Sequence, residues 1–378
     1  MKNGHGPRSL SDVTWRNDIN SREKFLGTCR FENVPPPRWD CLGFWGSTIE
    51  RWLTEGLPAD APAHEYFGMD PRDTIPVVSG FCDTPFCPAF EPELISEDDT
   101  IRTWRDGQGI VRRERKDRPE LSMPQFLEFP VKSREDWERM KPRLDPDTPE
   151  RYPNWDELKK RYDGREYVLQ LNVCGAYGMP RNLFGEENLA YIYYDDPELL
   201  HDIQRTWLRL YKGIVSHTFP NIKPDLVYLW EDMAFKTGPL ISPRLFEEFM
   251  LPYYTELIEL IRSFGVECVM VDSDGDNRPL LDLFIRSGVD TFMPLEIAAG
   301  MDPVPLREKY GRQLVLWGGI DKRALSKDLA TVEREVMSKV PKLMETRGYI
   351  PSVDHSVPPD VPFENYALFT KLIREICG

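Results

Sequence analysis

An α/β fold of the (β/α)8 class is what this sequence predicts, and three features carry the prediction. Short apolar runs of strand character recur along the chain, with candidates beginning at 38, 75, 167, 225, 267, 289, 313 and 348, and helix-like sequence follows most of them. That alternation is the pattern of a parallel sheet with crossover helices. Several runs stop at ionisable side chains: ECVMVDSDGDN at 267–277 opens into Asp272, Asp274 and Asp276, LVYLWED ends in Glu231 and Asp232, TFMPLE in Glu296, LVLWGGID in Asp321, and YIPSVDH in Asp354 and His355. Ionisable groups at the C-terminal ends of successive strands mark the edge where α/β barrels do their chemistry. Third, no GxGxxG opens a helix after an early strand, which weakens the doubly wound dinucleotide-binding alternative.

Taken in order, SLSDVTWRNDINSREKFLGTCRFE predicts an N-terminal helix with Ser21 as its N-cap, stopped by the prolines at 35–37. RWDCLGFWG (38–46) and IPVVSGF (75–81) read as the first two strands. The segment over 88–130 changes texture, alternating charged and apolar residues around Asp106-Gly107-Gln108-Gly109, the signature of a hairpin that leaves the main sheet. Helices then alternate with strands to the end. SPRLFEEFMLPYYTELIELIRSFG is expected as one long helix with Ser242 at its N-cap and Pro243 at its first position. The expected organisation is a single domain over 1–378, with a helical extension over 1–33 and a hairpin insertion over 88–130.

The chain has 378 residues, and 48 basic against 63 acidic side chains give a net charge of −15. That balance argues against nucleic acid or an anionic membrane surface as partner and for a small-molecule substrate. The first twenty residues hold no apolar signal-like core and no uninterrupted run is long enough to span a bilayer, so a cytoplasmic protein is expected. Seven cysteines without a CxxC pair suit free thiols in a reducing compartment, and Cys82 and Cys87, five residues apart, make a poor metal pair.

Three segments carry a family resemblance: GPLISPRLFEEFMLPYY (238–254), LWGGIDKRAL (316–325) and YIPSVDHSVPPDVPFENY (349–366). With the N-terminal REKFLGTCRFENVPPPRW they resemble the uroporphyrinogen decarboxylase superfamily, which holds both decarboxylases and cobalamin-dependent methyltransferases. The resemblance implies a TIM barrel with its site at the C-terminal mouth. It matches His355 to a histidine of the decarboxylases, sets Arg38 near their first arginine, and places Glu231 and Asp232 where they carry Asp-Ser. Zinc-dependent methyltransferases of the superfamily carry His-x-Cys where this chain reads Asp272-x-Asp274, and a further cysteine where it reads Asp354-His355. Soft ligands are replaced by oxygen donors and one imidazole, so any divalent metal, zinc or another, is expected on Asp272, Asp274 and His355.

These readings combine into an expected enzyme. His355 beside Asp354 can move a proton near neutral pH, and clustered carboxylates need a cation, a proton or a hydroxylated ligand to coexist. The catalytic set is therefore His355, Glu231, Asp272 and Asp274, and the substrate-binding set Arg38, Asn172, Tyr177, Trp230, Asp232, Glu296 and Trp317. The expected activity is transfer of a methyl group between a small substrate and a corrinoid (cobalamin) carried on a partner protein, by a chain that also pairs as a homodimer. The first alternative is a lyase that decarboxylates a porphyrinogen or a smaller acid. A hydrolase using Glu231 and Glu296 as its carboxylate pair and a non-catalytic corrinoid-binding module are the others.

Overall fold

The structure, a computed structural model, describes residues 19–116 and 123–378. Residues 1–18 of the expected extension and 117–122 of the expected insertion lie outside them. The fold is α/β and of the TIM-barrel class. The chain falls into two compact units: the first holds the residues up to Pro71 with Pro294–Ile297 and Asp302–Gly378, the second Arg72–Met293 with Ala298–Met301.

The first unit opens with α1 (Ser21–Cys29), α2 (Gly46–Glu55) and α3 (Ala63–Tyr66). Asn20, not Ser21, caps α1: its side chain accepts from the Glu23 N–H while the Glu23 carboxylate reaches back to the Asn20 N–H, a capping box. The strand expected at 38–46 shrinks to one parallel bridge, Phe44 with Val357.

The second unit begins with β1 (Arg72–Thr74), then β2 (Glu93–Glu97), β3 (Ile101–Arg105), β4 (Val111–Arg115) and β5 (Gln125–Glu128). β1 lies ahead of the expected 75–81 because the ladder ends at Ile75, whose N–H reaches the Gln170 carbonyl; Pro76 has no N–H to continue it. β2 to β5 form a four-stranded antiparallel sheet, larger than the single hairpin expected, with the 106–110 turn joining β3 to β4. Next come α4 (Arg134–Met140), α5 (Trp155–Tyr162), β6 (Val168–Cys174), α6 (Gly178–Phe184), α7 (Glu186–Asp195), α8 (Pro197–Thr218) and β7 (Leu226–Trp230). The short ribbon of β8 (Ala234–Phe235) and β9 (Gly238–Pro239) precedes α9 (Pro243–Phe249), α10 (Leu251–Ser263), β10 (Cys268–Asp272), α11 (Leu281–Arg286) and β11 (Thr291–Met293). The long helix expected from Ser242 breaks at Met250; Pro252, two residues on at the start of α10, lacks a backbone donor and crowds the preceding turn.

β1, β6, β7, β10 and β11 pair in parallel, each with its predecessor among them. β6, β7 and β10 are almost wholly buried and mostly apolar, as covered parallel strands are, with Gln170 and Asn172 on one face of β6 and Asp272 closing β10 as exceptions. Back in the first unit, α12 (Pro303–Tyr310), β12 (Val315–Trp317), α13 (Lys322–Leu325), α14 (Leu329–Thr346), β13 (Tyr349–Ile350) and α15 (Phe363–Cys377) repeat the strand–helix rhythm, with β12 and β13 parallel. No helix among the described residues is long and apolar enough to cross a membrane.

Trp207 shows how α8 is fastened to the second unit's sheet. It is wholly buried, packs its ring against Tyr211 and Tyr254 at 5.1 and 5.3 Å, and donates its indole N–H to the Cys174 carbonyl at 2.8 Å. Trp207→Ala should cost about 3–5 kcal/mol in chemical denaturation, from the cavity and the orphaned carbonyl together. Tyr194→Ala, on an α7 residue 70% exposed, should stay within about 0.5 kcal/mol; equal losses would contradict this packing.

Candidate functional site

Within the second unit lies a cavity of about 660 Å3. Its walls come from the antiparallel sheet (Gln108, Arg112, Phe126), from α6 (Arg181, Asn182) and from the end of β7 (Trp230, Asp232). Cys82, an exposed residue, also borders it, and partial desolvation of the thiol with Asp83 nearby raises its pKa above the usual range.

Strand parity decides which side chains reach this space. In the parallel register Asn172 lies opposite Tyr228, and Trp230 opposite Asp272, so these residues share one face of the sheet while Leu229 and Glu231 take the other. Trp230 and Asp232 thus reach the cavity. Arg181 fixes both: its Nη1 donates to the Asp232 carbonyl at 2.9 Å and carboxylate at 2.5 Å, and its guanidinium lies 5.6 Å from the Trp230 ring centre. It also pairs with Glu186 at 3.0 Å. Burial works against the Arg181 charge, but the Asp232 carboxylate outweighs it and holds the pKa above the ordinary value. Asp232 has a left-handed φ of 45°, a conformation that Asp tolerates better than most residues and that Arg181 clamps from both sides.

Glu231 points the opposite way, among the helices, and is wholly buried. One carboxylate oxygen accepts the N–H groups of Tyr177 and Gly178 at 2.8 Å, the other that of Ala176 at 3.1 Å and the Tyr254 hydroxyl. Burial raises its pKa, the Tyr254 hydroxyl and the three N–H groups pull it back, and the balance stands at about 7. The expected catalytic role of Glu231 is corrected here: its oxygens are spent on the turn that starts α6. The hydrolase with Glu231 as half of a carboxylate pair falls with it. Tyr177, expected to bind substrate, is likewise buried in this turn, 2% exposed.

The Asp-rich loop after β10 separates its acids. Asp272 is buried and accepts the Tyr228 hydroxyl at 2.6 Å. Asp274 is half-buried, and its carbonyl takes the Asn277 side-chain N–H at 2.8 Å. Asp276 is held by Arg278 through two bonds of 2.7 Å, which lower its pKa. Asn172, half-buried on β6, accepts from Gln170 at 2.8 Å.

In the first unit, Asp354 ties two loops together by accepting the N–H groups of Ile297 and Lys322, both at 3.0 Å. Burial raises its pKa to about 6 against the Lys322 charge. Lys322 also pairs with Glu296 at 3.0 Å. His355 follows, half-buried, in a loop fastened where the Val357 N–H meets the Gly43 carbonyl at 2.9 Å and the Ser356 hydroxyl the Leu42 carbonyl at 3.0 Å. Arg38 sits beside Asp70. Its backbone N–H binds Asp70 at 2.8 Å, and its side chain borders a cavity of about 30 Å3 beside α15, room for about one water. Trp317 is wholly buried against Trp39, ring centres 5.2 Å apart, and belongs to the core.

The residues do not fit a metal centre: among the described residues no three His, Cys, Asp or Glu side chains are placed to hold one. Asp272 spends an oxygen on Tyr228, and the cation that the clustered acids seemed to require is, for Asp276, supplied by Arg278. Sequence reasoning missed Arg112, Arg181, Asn182, Gln108 and Phe126. Arg181 and Asn182 stand one helical turn past the end of β6, where barrel sites gather, and that position was their available signal.

A family model described as Uroporphyrinogen decarboxylase (URO-D) matches residues 117–376. Uroporphyrinogen decarboxylase 2, chloroplastic, from Oryza sativa subsp. japonica is 21% identical over 205 residues, 54% of this chain and 50% of its own, so the chain spans about half the length of that relative. The uroporphyrinogen decarboxylase of Gloeobacter violaceus is 23% identical over 298 residues, 76% of this chain and 81% of its own. Among solved structures, a methyltransferase from Methanosarcina mazei aligns over 96% of this chain and 100% of its own with a TM-score of 0.56 at 13% identity, a likeness of fold.

Glu231 gives a pH signature. Folded, it keeps its proton to about pH 7, whereas the unfolded chain releases it near 4.5, so between those values the native state binds more protons and stability falls as pH rises. Wild-type stability measured against Glu231→Gln should therefore be greatest below pH 4.5 and shrink by up to about 3 kcal/mol by pH 7. Parallel stability curves would show that the carboxyl does not titrate in this range. Glu231→Ala, which orphans three buried N–H groups, should cost about 3 kcal/mol or more at any pH.

Proposed function

Because the chain belongs to the uroporphyrinogen decarboxylase (URO-D) family, we propose that it is an enzyme that takes a small, at most singly charged, partly aromatic molecule into the 660 Å3 cavity and exchanges a methyl group between it and a corrinoid on a partner protein. The observation that carries the reading is the charge balance of the cavity. Two arginines line it, Arg112 and Arg181, against three acids, Asp232, Glu186 and Glu187. Both arginines are already paired, Arg112 with Asp106, Arg181 with Asp232 and Glu186. A substrate with eight carboxylates, as a uroporphyrinogen has, needs several uncommitted cations to leave water; a neutral or monoanionic aromatic needs planes, which Trp230 and Phe126 supply.

When bound, the corrinoid supplies the metal centre that exchanges the methyl group. The chain's own task is to hold the substrate against Trp230, keep water from the reacting bond, and deliver a proton to the substrate heteroatom, which retains the bonding electrons when the methyl departs. His355, which the resemblance matches to a histidine of the decarboxylases and whose ordinary pKa lies near neutrality, does not line the cavity and is the first residue to test as the source of that proton. Decarboxylation of a smaller acid is the second reading, favoured by Arg112 in the cavity lining, since a guanidinium fork suits a carboxylate.

The test follows methyl exchange between free, chemically reduced cob(I)alamin and small methylated aromatics by visible absorbance, with CO2 release from small aromatic acids, without corrinoid, as the competing assay. CO2 release without methyl exchange would replace the first reading by the second. In whichever assay turns over, His355→Gln should lower kcat by about 10²–10⁴-fold while leaving Tm within a few degrees. Full activity in that variant would remove His355 from the mechanism.

A further inference from the structure

We propose that Arg112 is the anion-reading residue of the cavity, so that the molecule taken there is planar and carries one negatively charged oxygen group. The inference rests on the reading of the cavity as a substrate site, but not on methyl transfer.

Cross-strand register places Trp104 of β3, Arg112 of β4 and Phe126 of β5 side by side on one face of the antiparallel sheet. The Arg112 guanidinium lies 5.2 Å from the Trp104 ring centre and 5.8 Å from that of Phe126, a cation held between two aromatic planes. Its far end is fixed by Asp106, whose other oxygen accepts the N–H groups of Gln108 and Ile110 at 2.9 and 3.0 Å. Part of the accepting capacity of Asp106 is thus spent on the turn. Glu114, next on the same face, is committed to Arg102 at 2.6 Å and the Trp104 indole at 3.1 Å.

What remains is a guanidinium that lines the cavity with 21% of its side chain exposed. Its exposed edge can donate to a ligand oxygen, and a charged partner makes the stronger bond. The fork is already immobilised, so little side-chain entropy is lost on binding. The limit to one charge follows from Arg181, whose donors are taken by Asp232 and Glu186. The preference for a planar ligand follows from Phe126 and Trp230, both lining the cavity.

The test is calorimetric binding of benzoate, isophthalate and benzyl alcohol to the full chain. Benzoate should bind about tenfold or more tightly than benzyl alcohol, and more tightly than the dianionic isophthalate. In Arg112→Gln the gap between benzoate and benzyl alcohol should close by loss of benzoate affinity, with benzyl alcohol unaffected. If removing Arg112 unfolds the sheet by stranding Asp106, Arg112→Lys keeps the charge but loses the planar fork and should narrow the gap several-fold. The proposal is overturned if wild type shows no gap or binds none of the three, or if the gap persists undiminished in the variants. An Arg112-dependent gap without methyl exchange would sink only the methyltransferase reading, and methyl exchange without the gap only this one.

Discussion

The second unit's mouth depends on one buried carboxylate. Where β6 ends, the chain turns inward at 175–178 and presents three successive N–H groups to a space sealed between sheet and helices; without an acceptor that turn would bury three unmet donors. Glu231 is that acceptor, delivered from the neighbouring strand on the face away from the cavity, and the fit leaves no margin: a Cβ on Gly175 would stand 2.2 Å from the carboxylate. The direction of α6 follows, and with it the reach of Arg181 to Asp232 and Trp230. Gln204 and Tyr211 of α8 brace the same stretch, through the Ala176 carbonyl at 2.6 Å and the Cys174 N–H at 2.9 Å. The least accessible acid of the strand ends is therefore the one that shapes the accessible ones.

The strand–helix rhythm was legible because buried parallel strands must be apolar and helices need caps and stops. Glu231 and Asp232 illustrate what was not. Adjacent residues at a strand end face opposite ways, and nothing in LVYLWED says which face looks inward until the neighbouring strands set the register. The Asp-rich loop misled for a different reason: Asp272, Asp274 and Asp276 looked like a set wanting a cation, while Arg278, two residues on, already answered for Asp276. Pro252 was in plain view as a helix breaker and was read through. The alternation in VRRER was visible too, but the aromatic neighbours that make Arg112 a fixed cation come from two other strands.

Family membership and cavity chemistry answer different questions here. The fold is shared with decarboxylases and a methyltransferase alike, and shared folds host unrelated reactions by changing what lines the mouth. Charge is the discriminating quantity in this chain. Its acidic excess continues into the cavity, where both lining arginines stand beside an acid, a balance unfavourable to a polyanion.

The antiparallel sheet has a further consequence. β2 to β5 occupy one uninterrupted stretch, and their ladder bonds run among themselves, separate from those of the parallel strands. That stretch can be exchanged or rewritten without breaking the ladder bonds of the parallel strands, so one wall of the cavity is separable from them. Substrate preference can then drift quickly between lineages while the parallel strands change slowly, and overall sequence likeness becomes a poor guide to what any one member of the lineage consumes.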